Sequence, residues 1–392
     1  MKFGAFHPPY HIPTGRNPQL LLQRDVELTQ RYDDLGFDEI WFGEHHSCGT
    51  ELISDPLVFI PYVAPQTKRI QLCTGVVSLP YHNPLWVADR IALIDQLTHG
   101  RLTVGVGPGV LTTDAHMIGL DQTTQREALA EDFEVLLALL RGAEPVTVST
   151  ARYTLNEARL QMLPSTELEF AVAATASPAG PRLAGRHGAS LLSIGATMAR
   201  HSAGGENALA KMWEIYEERC AEFGNTADRG TWRLVGPMHI AETRELAREQ
   251  ARHGIDAWFD YFVHTNSATH FSVAGETTDE RIEWVVESGL GVIGTPEDAI
   301  EQINALVEQS GGFGTYLMMT HEWANWPDTL HSLDLFAEYV MPRFTGSADP
   351  LVRSERWAQE RRGELAGGQE ANVKKAFADY EAAKAARDAD RA

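Results

Sequence analysis

A closed (β/α)8 TIM barrel of the α/β class is the fold that this 392-residue sequence predicts, and two observations carry the prediction. Short apolar runs of strand length alternate with longer stretches whose apolar residues recur at spacings of three and four. Eight such strand runs occur, whereas an open doubly wound sheet usually has about five or six.

The runs come in order. "KFGAF" (2–6), "DEIWFG" (38–43), "IQLCTGVVSL" (70–79) and "RLTVGVG" (101–107) are the first four strands. "LLLQRDVELTQRYDDLG", "PLVFIPYVAPQTKR" and "PLWVADRIALIDQLTHG" lie between them with helical periodicity. A helix follows at 123–141, then "EPVTVSTARYTLNEARLQMLP", which reads as a small hairpin and a returning loop. "LEFAVAA" (168–174), "ASLLSIG" (189–195), "WRLVGPMHIA" (232–241) and "GTYLMMT" (314–320) complete the eight, with helical segments such as 207–223 and 296–309 between them. Residues 264–289 form an insertion before strand eight, expected as a lid or an extra helix. The barrel is expected over 1–344. Residues 345–392, rich in Ala, Arg, Glu and Asp, form a helical or partly disordered C-terminal extension.

Composition narrows the function. Hydrophobic residues make up 43% and charged residues 22%, an ordinary globular balance. Acidic residues outnumber basic ones 54 to 33, a net charge of −21, and no basic patch interrupts them, which argues against nucleic acid or an anionic membrane as partner. Cys48, Cys73 and Cys220 are odd in number and lack CxxC spacing, so neither a disulfide framework nor a zinc site is expected. No signal peptide and no run of about 18 apolar residues is present, and the cytoplasm is the expected location.

Barrel chemistry sits where strands end in their βα loops. Those ends carry Phe6, His7 and Tyr10; Glu44, His45 and His46; Ser78, Tyr81 and His82; "GVGPGV"; "ATASPAG"; Ser193; and Thr320, His321, Glu322 and Trp323. Pro8 and Pro9 prevent a helical pair between His7 and His11, and there is no HExxH, so no metal is expected. Each of His7, His11, His82 and His321 reads equally as a hydrogen-bonded structural residue or a functional one. His45 differs, because Glu44 and His46 make its strand end too polar for simple core. "GVGPG" is not a dinucleotide fingerprint: the spacing is GxGxG and the following "VLTTDAHMIG" does not begin a helix, so its glycines are read as letting the backbone pass close to a flat ligand. In "TASPAGPRLAG", Ser177 is a plausible N-cap and Pro178 suits the first helical turn, which offers N–H groups to a phosphate or serves as a plain cap.

"MKFGAF", "GFDEIWFGEHHS", "LCTGVVSLPYHNPLWVADRIALIDQLTHGRLTVGVGPG", "AVAATASPAGPRLAGRHGASLLSIG" and "GTPEDAIEQINAL" together resemble the bacterial luciferase-like, flavin-dependent monooxygenases, in particular the branch often labelled limonene monooxygenase. The resemblance implies a homodimeric barrel that binds reduced FMN from a separate NAD(P)H:flavin reductase. It further implies that O2 is activated as a flavin C4a-peroxide and that one oxygen enters a small hydrophobic substrate such as a terpene, ketone or aldehyde. By the same resemblance His45 is the active-site histidine, with Glu44 fixing its tautomer or standing behind it as a structural acid. Gly75 and Val76 match a pair that often carries a cis peptide against the flavin ring. Val110, Ala173, Ala174, Thr175, Ala176 and Ser177 match segments lining ring and phosphate, and Ser193 is grouped with them. Phe6, His7, Ser78, His82, His321 and Trp323 are expected around the substrate, with Trp41 and Leu79 as further apolar wall. Luciferases proper carry arginine at the position of Pro108, so its contact falls to another residue such as Arg126 or Arg182. No convergent arginines are visible for an anionic substrate. Two alternatives stand beside this reading: an F420-dependent oxidoreductase on the same fold, and a flavin-storing barrel without catalysis.

Overall fold

The computed structural model describes residues 1–13, 15–175, 177–194, 196–197, 207–265 and 274–390. Its strands are β1 (Lys2–His7), β2 (Glu39–Phe42), β3 (Gln71–Ser78), β4 (Leu102–Gly107), β5 (Val146–Ser149), β6 (Thr154–Ala158), β7 (Phe170–Ala174), β8 (Ser190–Ser193), β9 (Arg233–Ile240), β10 (Val292–Gly294) and β11 (Thr315–Met319). Eight of them, β1-β2-β3-β4-β7-β8-β9-β11, pair in parallel and close into a barrel, because β8 pairs with β9 and β11 with both β9 and β1. β5 and β6 are the expected hairpin, antiparallel and outside the barrel.

β10 is a ninth strand that the sequence reading lacked. It pairs in parallel with the second half of β9, Val292 opposite Met238, while β11 takes the first half, Thr315 opposite Arg233. Three residues are too short a run for periodicity to detect. The expected insertion before the last barrel strand contains the helix Thr278–Ser288, held at its start by a capping box between Thr277 and Glu280. Residues 266–273 of that insertion lie outside the described residues.

Side chains fill the barrel. Phe6, Trp41, Cys73, Leu192, Val235 and Leu317 form one buried cluster along its axis. At the N-terminal end Arg233 is almost fully buried and pairs with Glu39 at 2.9 Å and Glu169 at 2.5 Å, its guanidinium 5.0 Å from the centre of the Trp41 ring. Removing one partner of such a buried pair costs about 3–5 kcal/mol. A second cluster caps the C-terminal ends of β9 to β11: Trp258 and Phe259 of helix Ile255–His264 pack with Ile282 and Val285 of helix Thr278–Ser288 and with Trp323. This is why the helix Ile255–His264 lies at the barrel mouth.

Residues Pro342–Ala392 form a separate compact unit. It is dominated by the 41-residue helix Asp349–Ala389, in which no residue is buried. Among the described residues no helix is long and apolar enough to cross a membrane.

Candidate active site

β2 ends at Phe42, and Gly43 N–H donates to His7 O at 2.9 Å, so the chain turns at the barrel mouth before Glu44. Glu44 is buried, and its carboxylate accepts from the Ser78 backbone N–H at 2.8 Å while facing His46 Nε2 at 2.9 Å and His82 Nε2 at 2.6 Å. Burial alone would raise its pKa, but these bonds hold the carboxyl below the usual range. None of them reaches His45, so Glu44 does not fix the His45 tautomer. The partners of Glu44 are His46 of the same loop and Ser78 and His82 at the end of β3.

His45 faces two other carboxylates. Its Nε2 lies 3.2 Å from Glu51 Oε2, and its Nδ1 lies 3.6 Å from Asp114 Oδ2. Burial pushes the imidazole pKa down, but Glu51 and Asp114 outweigh it and the net shift is upward. Asp114 belongs to the helix Thr112–Ile118, in the segment expected not to begin a helix. Leu111 precedes this helix without a side-chain cap, and Gly119 closes it at φ 79°. That absence of a cap removes the usual sequence signal. Asp114 is locked by the His46 N–H at 3.1 Å and the Ser47 hydroxyl at 2.5 Å, and its carboxyl stays below the usual range although burial opposes this. Glu51 accepts from the Tyr261 hydroxyl at 2.8 Å; burial pushes its carboxyl up.

Glu44, His45, Glu51 and Tyr261 line a cavity of about 760 Å³. Phe6, Gly75, Val76, Ser78, Val110, Ala173, Ala174, Thr175 and Ser177 line it with His45 and Glu44; Ala176 lies outside the described residues. The Gly75–Val76 peptide is cis. A Cβ on Gly75 would sit 2.7 Å from Trp41 Cβ and 3.3 Å from Phe6, so only glycine lets β3 lie directly on those rings. The glycines of "GVGPG" serve the protein itself: a Cβ on Gly107 would meet Val76 Cγ2 at 2.5 Å, and Gly109 has φ 85° beneath the Tyr81 phenol. The close approaches at these glycines are to β3 and Tyr81, and Gly109 also lines the cavity.

The cavity has two ends. Toward the cap it is aromatic, with Tyr10, Trp258, Tyr261 and Phe262. Toward the helices Gln125–Arg141 and Ala179–His187 it carries Arg126, Arg182, Arg186 and Arg219. Arg186 pairs with Glu134 at 2.6 Å and Arg219 with Glu222 at 2.5 Å, whereas Arg126 and Arg182 have no ion-pair partner among the described residues. Arg126 and Arg182, the residues expected to take over the contact absent at Pro108, thus stand with Arg186 and Arg219 along one cavity; the four come from three separate segments and are invisible as a patch in the chain. The helix Ala179–His187 starts from Pro178 with no side-chain cap, so Ser177 is not its N-cap. A Cβ on Gly180 would fall 2.5 Å from the Ala173 carbonyl, which shows how closely this helix start packs on the end of β7.

Several expected pocket residues lie elsewhere. His7 and His321 line a separate cavity of about 60 Å³ on the other side of Tyr10 and Met319. There His7 Nδ1 meets Thr320 Oγ1 at 2.7 Å, and its Nε2 lies 3.2 Å from Asp25 Oδ1. His321 Nε2 donates to Met238 O at 3.0 Å, and burial pulls its pKa down to about 3, so it is neutral. Trp323 is fully buried and stacks on His321 at 4.0 Å. His82 is bound to Glu44 outside the cavity, Trp41 and Leu79 are buried behind its wall, and Ser193 is buried accepting from Trp232 Nε1 at 2.9 Å. Conversely, Glu51, Asp114 and Tyr261 were missed. The only available signal for Glu51 was a lone acid in a loop six residues beyond His45.

No group of three or more His, Cys, Asp and Glu among the described residues is placed to hold a metal.

The chain resembles known proteins over most of its length. The chain is 44% identical over 351 residues to limonene 1,2-monooxygenase of Rhodococcus erythropolis, covering 90% of this chain and 88% of that one. The oxygenating constituent of 3,6-diketocamphane monooxygenase of Pseudomonas putida, a type II Baeyer–Villiger enzyme solved in complex with FMN, superposes with TM-score 0.71 at 25% identity, covering 87% of this chain and 98% of that one. An F420-dependent secondary alcohol dehydrogenase shares the fold with TM-score 0.63 at 18% identity, covering 86% of this chain and 97% of that one. A family model described as luciferase-like monooxygenase matches residues 1–312, and the chain belongs to that family of enzymes.

Proposed function

We propose that this protein is the oxygenating component of a two-component flavin monooxygenase. It takes reduced FMN from a separate NAD(P)H:flavin reductase and uses O2 to place one oxygen atom in a small hydrophobic molecule such as a terpene, ketone or aldehyde. The observation that carries the reading is the two-ended cavity: unpaired arginines and a helix start at one end, an aromatic pocket at the other, and His45 on the wall.

The residues present fit FMN. Arg126, Arg182 and the first N–H groups of the helix Ala179–His187 suit a phosphate. The bare backbone at Gly75, with Val76, Ala173 and Ala174, suits a flat ring. Bound reduced flavin would supply the two electrons that, with O2, leave one oxygen atom in the product and the other in water. The chain's own contribution is to exclude water and to hold a proton. Phe6, Trp258, Phe262 and Met319 make the reacting end apolar. His45, whose pKa its carboxylate neighbours push up against burial, is placed to donate to a developing oxygen anion. Glu44 holds the loop by tying His46, His82 and β3 together.

The same reading includes a homodimer. Val58 and Tyr62 of helix Pro56–Val63, and Trp86, Leu93 and Leu97 of helix Pro84–Thr98, are exposed on neighbouring helices joined by the Arg90–Asp55 pair at 2.5 Å. The unpaired cysteines suit a reducing cytosol.

F420 is the second reading, favoured by the fold shared with an F420-bound dehydrogenase and by the arginine-rich cavity end, which would suit an acidic tail. Anaerobic titration with reduced FMN and, in parallel, reduced F420 separates the two. Tight binding of FMN, with substrate oxidation that requires the reductase, is the expected outcome. Binding of F420 alone would replace oxygen insertion by hydride transfer.

A further inference from the structure

His45 is surrounded by groups from four segments. Glu44, His46 and Glu51 come from its own loop, Asp114 from the helix Thr112–Ile118, and Tyr261 from the helix Ile255–His264, with Tyr10 of the segment after β1 beside them. The oxygens of Glu44 are taken by His46, His82 and β3. Asp114 is fixed by the His46 N–H and the Ser47 hydroxyl. Glu51 is held differently: its backbone bridges to Tyr10, and its Oε2 both accepts the Tyr261 hydroxyl and faces His45 Nε2. Nε2 of His45 thus lies against a carboxylate oxygen, a contact that needs one proton on the nitrogen or on the carboxyl, while Nδ1 stands 3.6 Å from Asp114.

We propose that Glu51, held by the Tyr261 hydroxyl, is the positioning residue that keeps Nε2 of His45 protonated, so that docking of helix Ile255–His264 at the cavity sets the charge of this imidazole. The inference deepens the reading of His45 as the proton-holding group and rests on it for its catalytic meaning. Two proton positions compete along one 3.2 Å line. With the phenol donating, the carboxylate is stabilised and the proton stays on nitrogen. Without it, the buried carboxylate gains affinity for a proton: the Nε2–H bond breaks, an Oε2–H bond forms, and imidazolium plus carboxylate become imidazole plus carboxylic acid with no change in total charge. Helix Ile255–His264 also supplies Trp258 and Phe262 to the aromatic cavity end. The element that shields the substrate thus also charges the proton donor.

The test is a pH titration of His45 by NMR in the flavin-free, full-length protein carrying labelled histidine, the resonance assigned by its loss in His45→Gln. Glu51→Gln is expected to lower the His45 midpoint by about one pH unit or more. Tyr261→Phe, which keeps the ring packed against Tyr10 and removes only the hydroxyl, is expected to lower it in the same direction by less. The alkaline limb of the kcat/KM profile, where a required proton donor is lost, should move with it. An unchanged midpoint in either folded variant overturns the proposal; if Glu51→Gln does not fold, Tyr261→Phe decides alone. The titration needs no flavin, so its failure leaves the flavin reading standing, and failure to bind reduced FMN leaves the titration standing.

Discussion

At the scale of single residues, the distances around His45 separate what it does from what Glu44 does. An imidazole facing two carboxylates is set to carry a proton, while a carboxylate facing two histidines and a backbone N–H is set to hold a loop. His45→Ala is expected to retain reduced-FMN binding and to lose product formation by a factor of about 10²–10⁴, the usual worth of one general acid, with the O2 still consumed appearing as hydrogen peroxide. Titration, product analysis and a peroxide assay read the three quantities, and unchanged coupling of O2 to product would remove His45 from the mechanism. The polar strand end "EHH" was legible because such residues rarely end a buried strand without a purpose. Its true partners were not. Glu51 and Asp114 reach His45 across space, and no local pattern announces the Tyr261 hydroxyl that holds Glu51 from more than 200 positions away.

At the scale of elements, the chain ends of β1 and β11 are tied by a buried polar cluster around Glu322. Its carboxylate accepts from the Ile12 N–H at 2.6 Å and from Arg16 at 2.5 Å and 2.9 Å, and lies 3.5 Å from His11. Burial opposes ionisation, but these partners hold its pKa at about 2. His11, despite burial, is raised to about 9 by Asp25 and Glu322. The signs follow by linkage. A depressed carboxyl stabilises above its unfolded value of about 4.3 and loses that contribution as pH falls toward 2. A raised histidine stabilises fully below about 6.5 and loses its contribution as pH rises through 9. The melting temperature should therefore be highest between about pH 5 and 6.5 and decline on both sides. Glu322→Gln should lower the plateau by at least about 2 °C and flatten both limbs; calorimetry across pH 3–10 checks this, and an unaltered profile would show the cluster to be neutral. The barrel strands were legible as elements because each is a run of four to eight mostly apolar residues. The three-residue β10 and the uncapped helix Thr112–Ile118 were not, since one is shorter than any period and the other lacks a capping side chain.

At the scale of the molecule, a net charge of −21 keeps copies apart except where an apolar face offsets it. The exposed side chains of helices Pro56–Val63 and Pro84–Thr98 form such a face, and Trp86, 66% exposed, is its largest member. Sedimentation of the wild-type chain is expected to give twice the chain mass, and Trp86→Glu to give the monomer with unchanged circular dichroism. A wild-type monomer would refute the homodimer.

The sequence by itself determined the barrel, its hairpin and the polar strand end that carries His45, because strand and helix periods and strand-end polarity are local properties of the chain. Only the tertiary structure decided which polar residues share a cavity. It moved His7 and His321 into a separate pocket, sealed Trp323 and Ser193 in the core, gathered four arginines from three segments at one cavity end, and gave His45 its two carboxylates. The physical reason is that barrel closure fixes the direction of each loop, while what a side chain meets depends on the loops that arrive from the rest of the ring.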